Sequence, residues 1–138
     1  LTESPPRNAL ERASAWDFLG YRYVDLGRLD ASAHAFSQAA ELTPSPRILR
    51  QWARLEEMRG QPLASREVLR RLVLRKPDEI LAWMELVRLS YTLGDTADAR
   101  HSAEDALRHV PRAEAPRRFL EWLGRDPSTR GAPGEPRR

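Results

Sequence analysis

From Trp16 to Pro44, apolar and small residues recur at helical spacing on both sides of one glycine. Leu19, Tyr23 and Leu26 fall at i, i+4 and i+7, and Trp16 extends that stripe backwards, so the spacing predicts an amphipathic helix with these residues inward. Gly20 lacks a side chain where a second helix must cross. Gly27 marks the end of the first helix, because a left-handed backbone costs glycine little, and Asp30 is read as the N-cap of the second. Phe36, Ala39 and Ala40 then face back onto the first helix, and Pro44, Ser45 and Pro46 stop the second and start a third. The stretch is predicted to be two helices folded against each other. The first begins near Pro6 and runs to about Leu26, or residues 1–12 are the tail of a helix from a preceding repeat. Either way an N-terminal edge is left with nothing stacked on it.

The same offsets return twice. Leu49, Trp52, Ala53, Glu56, Gly60, Ser65, Leu69, Leu72 and Pro77 take the places of Trp16, Leu19, Gly20, Tyr23, Gly27, Ser32, Phe36, Ala39 and Pro44. Trp83, Leu86, Val87, Ser90, Gly94, Ala99, Ala103, Ala106 and Pro111 do so again. Glu56 in place of Tyr23 leaves open how deeply that position is buried. Pro62 suits the start of a helix running to about Arg75, while Asp95 after Gly94 repeats the cap and Asp98 brings it close to a capping box. This set of offsets, a Trp, Leu-Gly, Tyr, a small residue, Phe, Ala and Pro, resembles the tetratricopeptide repeat. The resemblance covers residues 13–111 and implies an all-α, right-handed α-solenoid of three helix-turn-helix hairpins at 13–45, 46–79 and 80–113, after a partly helical extension at 1–12. Beyond Pro111, Pro116 favours a helix start, Phe119, Leu120, Trp122 and Leu123 form an apolar face, and Gly124 suits a C-cap. Residues 114–124 are read as a capping helix that covers the last repeat, with Phe119 and Trp122 as a docking surface the other reading. Residues 125–138, rich in Pro, Gly and Arg, are expected to be a flexible tail.

Composition narrows the chemistry. With 138 residues the chain is long enough for one core, and without cysteine it has no disulfide, Cys-based zinc site or thiol nucleophile. No apolar run approaches the roughly 20 residues that span a bilayer, and no signal-peptide pattern opens the chain. It begins at Leu1, which reads as a segment or processed product, a slice of a longer repeat array being one form of that. The compartment, cytoplasm or periplasm of a bacterium, stays open. Of the 23 basic residues only Lys76 is lysine. Arginine suits carboxylates and phosphates, and GC-rich coding also produces such a bias. With 20 acidic residues interleaved, the balance is not that of a dedicated nucleic-acid binder.

Catalytic signals are missing from the sequence. His34, His101 and His109 lie in no metal-ligand motif, no phosphate-binding glycine loop or nucleophile elbow occurs, and adjacent carboxylates such as Glu104 and Asp105 diverge on a helix. The chain is therefore read as a non-enzyme that needs no cofactor or metal.

The resemblance implies that the first helix of each hairpin lines a concave, partner-binding groove. Its candidate residues are Asp17, Tyr21 and Val24 in the first repeat, Arg47, Arg50, Arg54 and Glu57 in the second, and Leu81, Met84, Arg88 and Tyr91 in the third. Arg47, Arg50 and Arg54 share one face. Flanked by Tyr21, Leu81, Met84 and Tyr91, and with Arg88 on the next repeat, they suit a peptide or helix carrying acidic and apolar residues. The other reading pairs these arginines with Asp17, Glu57 and Glu85 as a solvated face. Some members of the family clamp a C-terminal carboxylate with Lys and Asn, but Asp17 and Tyr21 stand at those places, so that activity does not carry over.

The resulting expectation is a scaffold for protein association, in a bacterial assembly or secretion complex such as exopolysaccharide export, with self-association through repeat edges a further option. The alternative is nucleic-acid or anionic-surface binding through Arg66, Arg70, Arg71 and Arg75. One test of the alignment is Trp83→Ala, which should cost about 3–5 kcal/mol as a large aromatic lost from a core. An unaltered melting temperature would show the third repeat to be out of register.

Overall fold

The computed structural model describes residues 7–131 except 126 and 129. The expectations about Pro6 and about residues 132–138 lie outside the described residues. Seven helices, and no strand, are found among those described: α1 (Arg7–Asp25), α2 (Leu29–Leu42), α3 (Pro46–Met58), α4 (Pro62–Arg75), α5 (Ile80–Thr92), α6 (Thr96–His109) and α7 (Glu114–Leu123). The fold is all-α and built of helical hairpins. The chain forms two compact units, Leu1–Leu72 and Val73–Arg138, with the division inside α4.

The first helix of each hairpin ends in the same way. Gly27, Gly60 and Gly94 have φ of 72°, 78° and 85°, a region that a side chain disfavours. In the first hairpin the Gly27 N–H donates to Val24 O (2.9 Å) and the Arg28 N–H to Tyr23 O (2.8 Å), a pair of bonds that closes two otherwise open carbonyls. Gln61 repeats the longer bond to Glu56 O and Asp95 to Ser90 O, each at 2.8 Å. The chain thus leaves each helix in a defined direction, and the next helix starts within two or three residues.

In the first unit, α1 and α2 cross at Gly20. A Cβ built there would lie 2.7–2.8 Å from the Phe36 ring, so the ring packs on bare backbone. Ser32 is fully buried beside it, and its hydroxyl donates to Gly20 O at 2.7 Å. Phe36, Ala33 and Leu55 form a core cluster against which Val24, Leu29 and Trp52 pack. The expected stripe of α1 differs: Leu19 is 37% exposed and Leu26 64% exposed. The buried face is centred on Ala13 and Gly20, and Leu19 lies about 100° round the helix from Gly20, where no described element covers it. Small residues decide which face is inward because only they admit α2 so closely. Asp30 also departs from its expected role. Arg28 is the N-cap of α2 and has no side-chain cap bond, while Asp30 sits in the first turn, where a negative charge favours the helix, and accepts from Arg59 Nε at 2.9 Å.

Glu56 is 8% exposed and satisfied on every side. Trp52 Nε1 donates to its Oε1 at 3.1 Å, and Arg59 Nη1 reaches both carboxylate oxygens at 3.1 and 3.0 Å. Hydrogen bonding to Asp30, and the nearby charges of Glu56 and Asp30, raise the Arg59 guanidinium above its ordinary range, so it stays charged. Arg71 caps the set from α4, its guanidinium 5.2 Å from the centroid of the Trp52 ring. A carboxylate can therefore replace the aromatic of the first repeat because it arrives with its own donors.

In the second unit the Asp95 side chain accepts from the Asp98 N–H at 3.0 Å and caps α6 as the sequence predicts. The carboxylate of Asp98 accepts the fully buried Ser90 hydroxyl at 2.5 Å. Trp83 is buried, and its indole donates to Pro77 O at 2.7 Å. Val87, Ala99, Ala103, Phe119, Trp122 and Leu123 form one cluster, so α7 closes on α5 and α6 with its apolar side.

Two substitutions test these contacts by denaturant unfolding. Gly20→Ala should cost about 1–3 kcal/mol through overpacking against Phe36, whereas Gly27→Ala, with open space round its Cβ, should cost about 1 kcal/mol from backbone strain alone. Equal losses would place Phe36 elsewhere. Glu56→Ala should destabilise by about 2–3 kcal/mol, since it strips acceptors from Arg59 and the Trp52 indole. Asp30→Ala removes a largely exposed partner and should cost under about 1 kcal/mol.

Candidate functional site

The face of the first unit formed by α1 and α3 holds six of the seven candidates named there. Asp17 and Tyr21 are one helical turn apart on α1, and Arg47 reaches both from the first turn of α3. Its Nη1 and Nη2 donate to Asp17 Oδ1 and Oδ2 at 3.2 and 2.9 Å, and Nη1 also donates to the Tyr21 hydroxyl at 3.0 Å. The hydrogen bond to Asp17, reinforced by its charge, holds the Arg47 guanidinium above its ordinary range. A two-pronged pair of this kind fixes α1 against α3 and neutralises one cation of the expected stripe. Among the described residues Arg50 and Arg54 make no ion pair. Arg54 is exposed, and Arg50 is half-buried with its Nε unbonded. Glu57 is half-buried on the same helix, and Met58, one turn beyond Arg54, is exposed. Tyr21 is exposed and packs edge-on against Phe36, with ring centroids 5.2 Å apart. Val24, the seventh, is half-buried and packs against the core cluster of Ala33, Phe36 and Leu55.

In the second unit the candidates divide. Leu81 is exposed at the start of α5, and Arg88 is exposed and donates to Glu85 at 2.8 Å. Met84 and Tyr91 are half-buried, and both pack against the cluster that α7 completes. Tyr91 meets Trp122 and Phe119 edge-on, with centroids 5.3 and 6.1 Å away. The chain's own last helix thus covers part of each of these two side chains.

The basic face of α4 is partly spoken for. Arg70 pairs with Glu67, one turn back, and Arg71 lies over Trp52; Arg75 is exposed. Two further arginines, not singled out in the sequence, make structural contacts. Arg59 joins Asp30 to Glu56, and the signal for it was the carboxylate three residues earlier on the same helix. Arg130, in the stretch expected to be flexible, folds back on α7: its Nη2 donates to Leu123 O and Arg125 O at 3.0 and 3.1 Å, and its guanidinium lies 4.8 Å from the Trp122 ring centroid. Trp122 Nε1 in turn donates to Gly131 O at 2.6 Å. The open carbonyls at a helix C-terminus draw such a donor, so Arg130 and Gly131 tie the described part of the tail to α7.

Among the described residues no group of three or more His, Asp and Glu side chains could hold a metal ion, and no helix is long and apolar enough to cross a membrane. The chain matches no curated protein. Solved structures share its fold. The first tetratricopeptide domain of Spaghetti (RPAP3), bound to the HSP90 peptide SRMEEVD, is 14% identical with a TM-score of 0.61 over 81% of this chain and 92% of that one. The Sgt2 tetratricopeptide domain from Aspergillus fumigatus is 20% identical with a TM-score of 0.65 over 98% and 89%. TTC0263, a tetratricopeptide protein of Thermus thermophilus, is 27% identical with a TM-score of 0.56 over 80% and 63%. The tetratricopeptide repeat family itself matches residues 46–89, which span α3, α4 and most of α5. The chain therefore carries a tetratricopeptide repeat match at residues 46–89, within a fold of helical hairpins whose first helices all end on the same glycine stop.

Proposed function

We propose that the chain is a non-catalytic scaffold that holds an acidic segment of another protein on the outward side of α3. Arg50 and Arg54 supply the charge, and Tyr21 and Met58 supply apolar contact on either side. The observation that carries this reading is the division of labour among the arginines. Arg47 is neutralised by Asp17, Arg59 by Asp30 and Glu56, and Arg88 has Glu85, whereas Arg50 and Arg54 stand one turn apart without an ion-pair partner among the described residues. Leaving two guanidinium groups adjacent and uncompensated is unfavourable in the free protein, and a carboxylate-bearing ligand relieves it with charge-assisted hydrogen bonds. The acidic peptide bound to the RPAP3 domain supports this class of ligand for the fold. The setting proposed is a bacterial assembly or secretion complex such as exopolysaccharide export; the family resemblance suggests the complex, and the arginine-rich composition suits a GC-rich bacterium.

The test is a pull-down from a lysate of the source organism, with nuclease present and at two salt concentrations, using the wild-type chain beside Arg50→Glu/Arg54→Glu. Both side chains leave no ion pair behind, so the variant should melt as the wild type does. A protein held by the wild type and weakened at least about tenfold in the variant, the loss of one to two charge-assisted contacts, is the expected result. Equal retention by both would remove α3 from consideration. Retention of nuclease-sensitive material alone would move the function to the arginines of α4, where binding should fall steeply with salt.

A further inference from the structure

The outer side of α1 has an apolar centre with a charge at each end. Glu11, Ala15, Phe18 and Arg22 follow at i, i+4, i+7 and i+11, which brings all four within about 60° of one another round the helix. All four are exposed, and Phe18, at 64%, is among the most exposed large apolar side chains described. Leu19 and Leu26 border the same side. A solitary surface phenylalanine needs no explanation, but a phenylalanine and an alanine set between an acid and a base in a symmetric array do. Read in reverse order, the array matches itself with the sign of the charge exchanged.

We propose that α1 pairs antiparallel with α1 of a second copy of this chain, about a two-fold axis between positions 16 and 17. In that register Glu11 of each copy meets Arg22 of the other, and Ala15 of each meets Phe18 of the other, so two ion pairs flank two apolar contacts. Charge complementarity selects this arrangement. Parallel pairing sets Glu11 against Glu11 and Arg22 against Arg22, and like charges in register repel. A head-to-tail stack is also disfavoured, because α7, which ends the described helices, presents Arg117, Arg118 and Glu121 to solvent. The same patch on both subunits is the closed, self-complementary solution. Arg22 lies 3.9 Å from Asp25, with both side chains more than half exposed, and Glu11 likewise has a polar contact within its own chain; exposed contacts of this kind are weak and exchange at little cost. The helix has 19 residues and is thus about 28 Å long. One face of it offers less than the roughly 800 Å² per partner of a standard interface, which makes this a reversible dimer whose population follows concentration.

Sedimentation of the full chain over a concentration series tests the pairing. The mass should climb from 15.8 kDa towards twice that value. Phe18→Glu should raise the dissociation constant at least about tenfold, with the circular-dichroism melt unchanged because the side chain is outside the core. Arg22→Glu alone should weaken the dimer, and Glu11→Arg/Arg22→Glu should restore it, since the exchange re-forms both pairs with the signs reversed. A monomer at every concentration would overturn the proposal and leave this face to a different protein. A dimer that survives Phe18→Glu would put the contact on another surface, and failure of the double exchange to restore a dimer lost in Arg22→Glu would overturn the antiparallel register.

Discussion

A helix that doubles back on itself has to stop without leaving its last carbonyls open, and in this chain that requirement is met by a glycine in the left-handed region. The N–H groups of the glycine and of the residue after it close two carbonyls of the last turn, and the next helix departs in a set direction. Everything inside a hairpin depends on that direction. Phe36 reaches the bare backbone of Gly20, and Ser32 reaches its carbonyl, only because α2 returns along α1 at close range. A helix that frayed at Gly27 would lose both contacts together.

The arginines show how one residue type serves different ends according to its surroundings. Arg47 and Arg59 each bridge two helices through carboxylates, and Arg71 shields an indole. In each case the cation arrives where an acceptor or a π face is already fixed, so little freedom is lost on contact. Arg50 and Arg54 share α3 with Arg47 but have no ion-pair partner among the described residues. Their availability is a consequence of where Asp17 stands, one helix away.

The aromatic cluster of the second unit has the opposite character. Tyr91, Phe119 and Trp122 meet edge to face, and Arg130 lies over the Trp122 ring while it caps the helix below. A repeat fold exposes an apolar side wherever repetition ends, and here α7 covers α5 and α6 while turning charged residues outward. The contrast with the outer side of α1 is chemical: one face has been made polar, and the other keeps Phe18, Leu19 and Leu26.

Much of the fold was legible in the residues themselves. The spacing of Gly27, Gly60 and Gly94, the cap at Asp95 and the prolines at the starts of α3 and α4 are local features, each expressed through bonds within a few residues. Helix order and the ends of the first helices follow from them. The side of α1 that turns inward was not legible, because Leu19 and Leu26 outweigh Ala13 and Gly20 in hydrophobicity, and only the close approach of α2 favours the smaller pair. The candidate site was legible as a list of positions on α1, α3 and α5 but not as a surface. Val24, Met84 and Tyr91 each lean partly on a core cluster, Arg47 pairs with Asp17, and Arg50 and Arg54 make no ion pair among the described residues. The sequence by itself determined the helices and their turns, since periodicity and capping belong to one segment at a time. Burial and charge pairing depend on which segments meet, and those the tertiary structure alone decided.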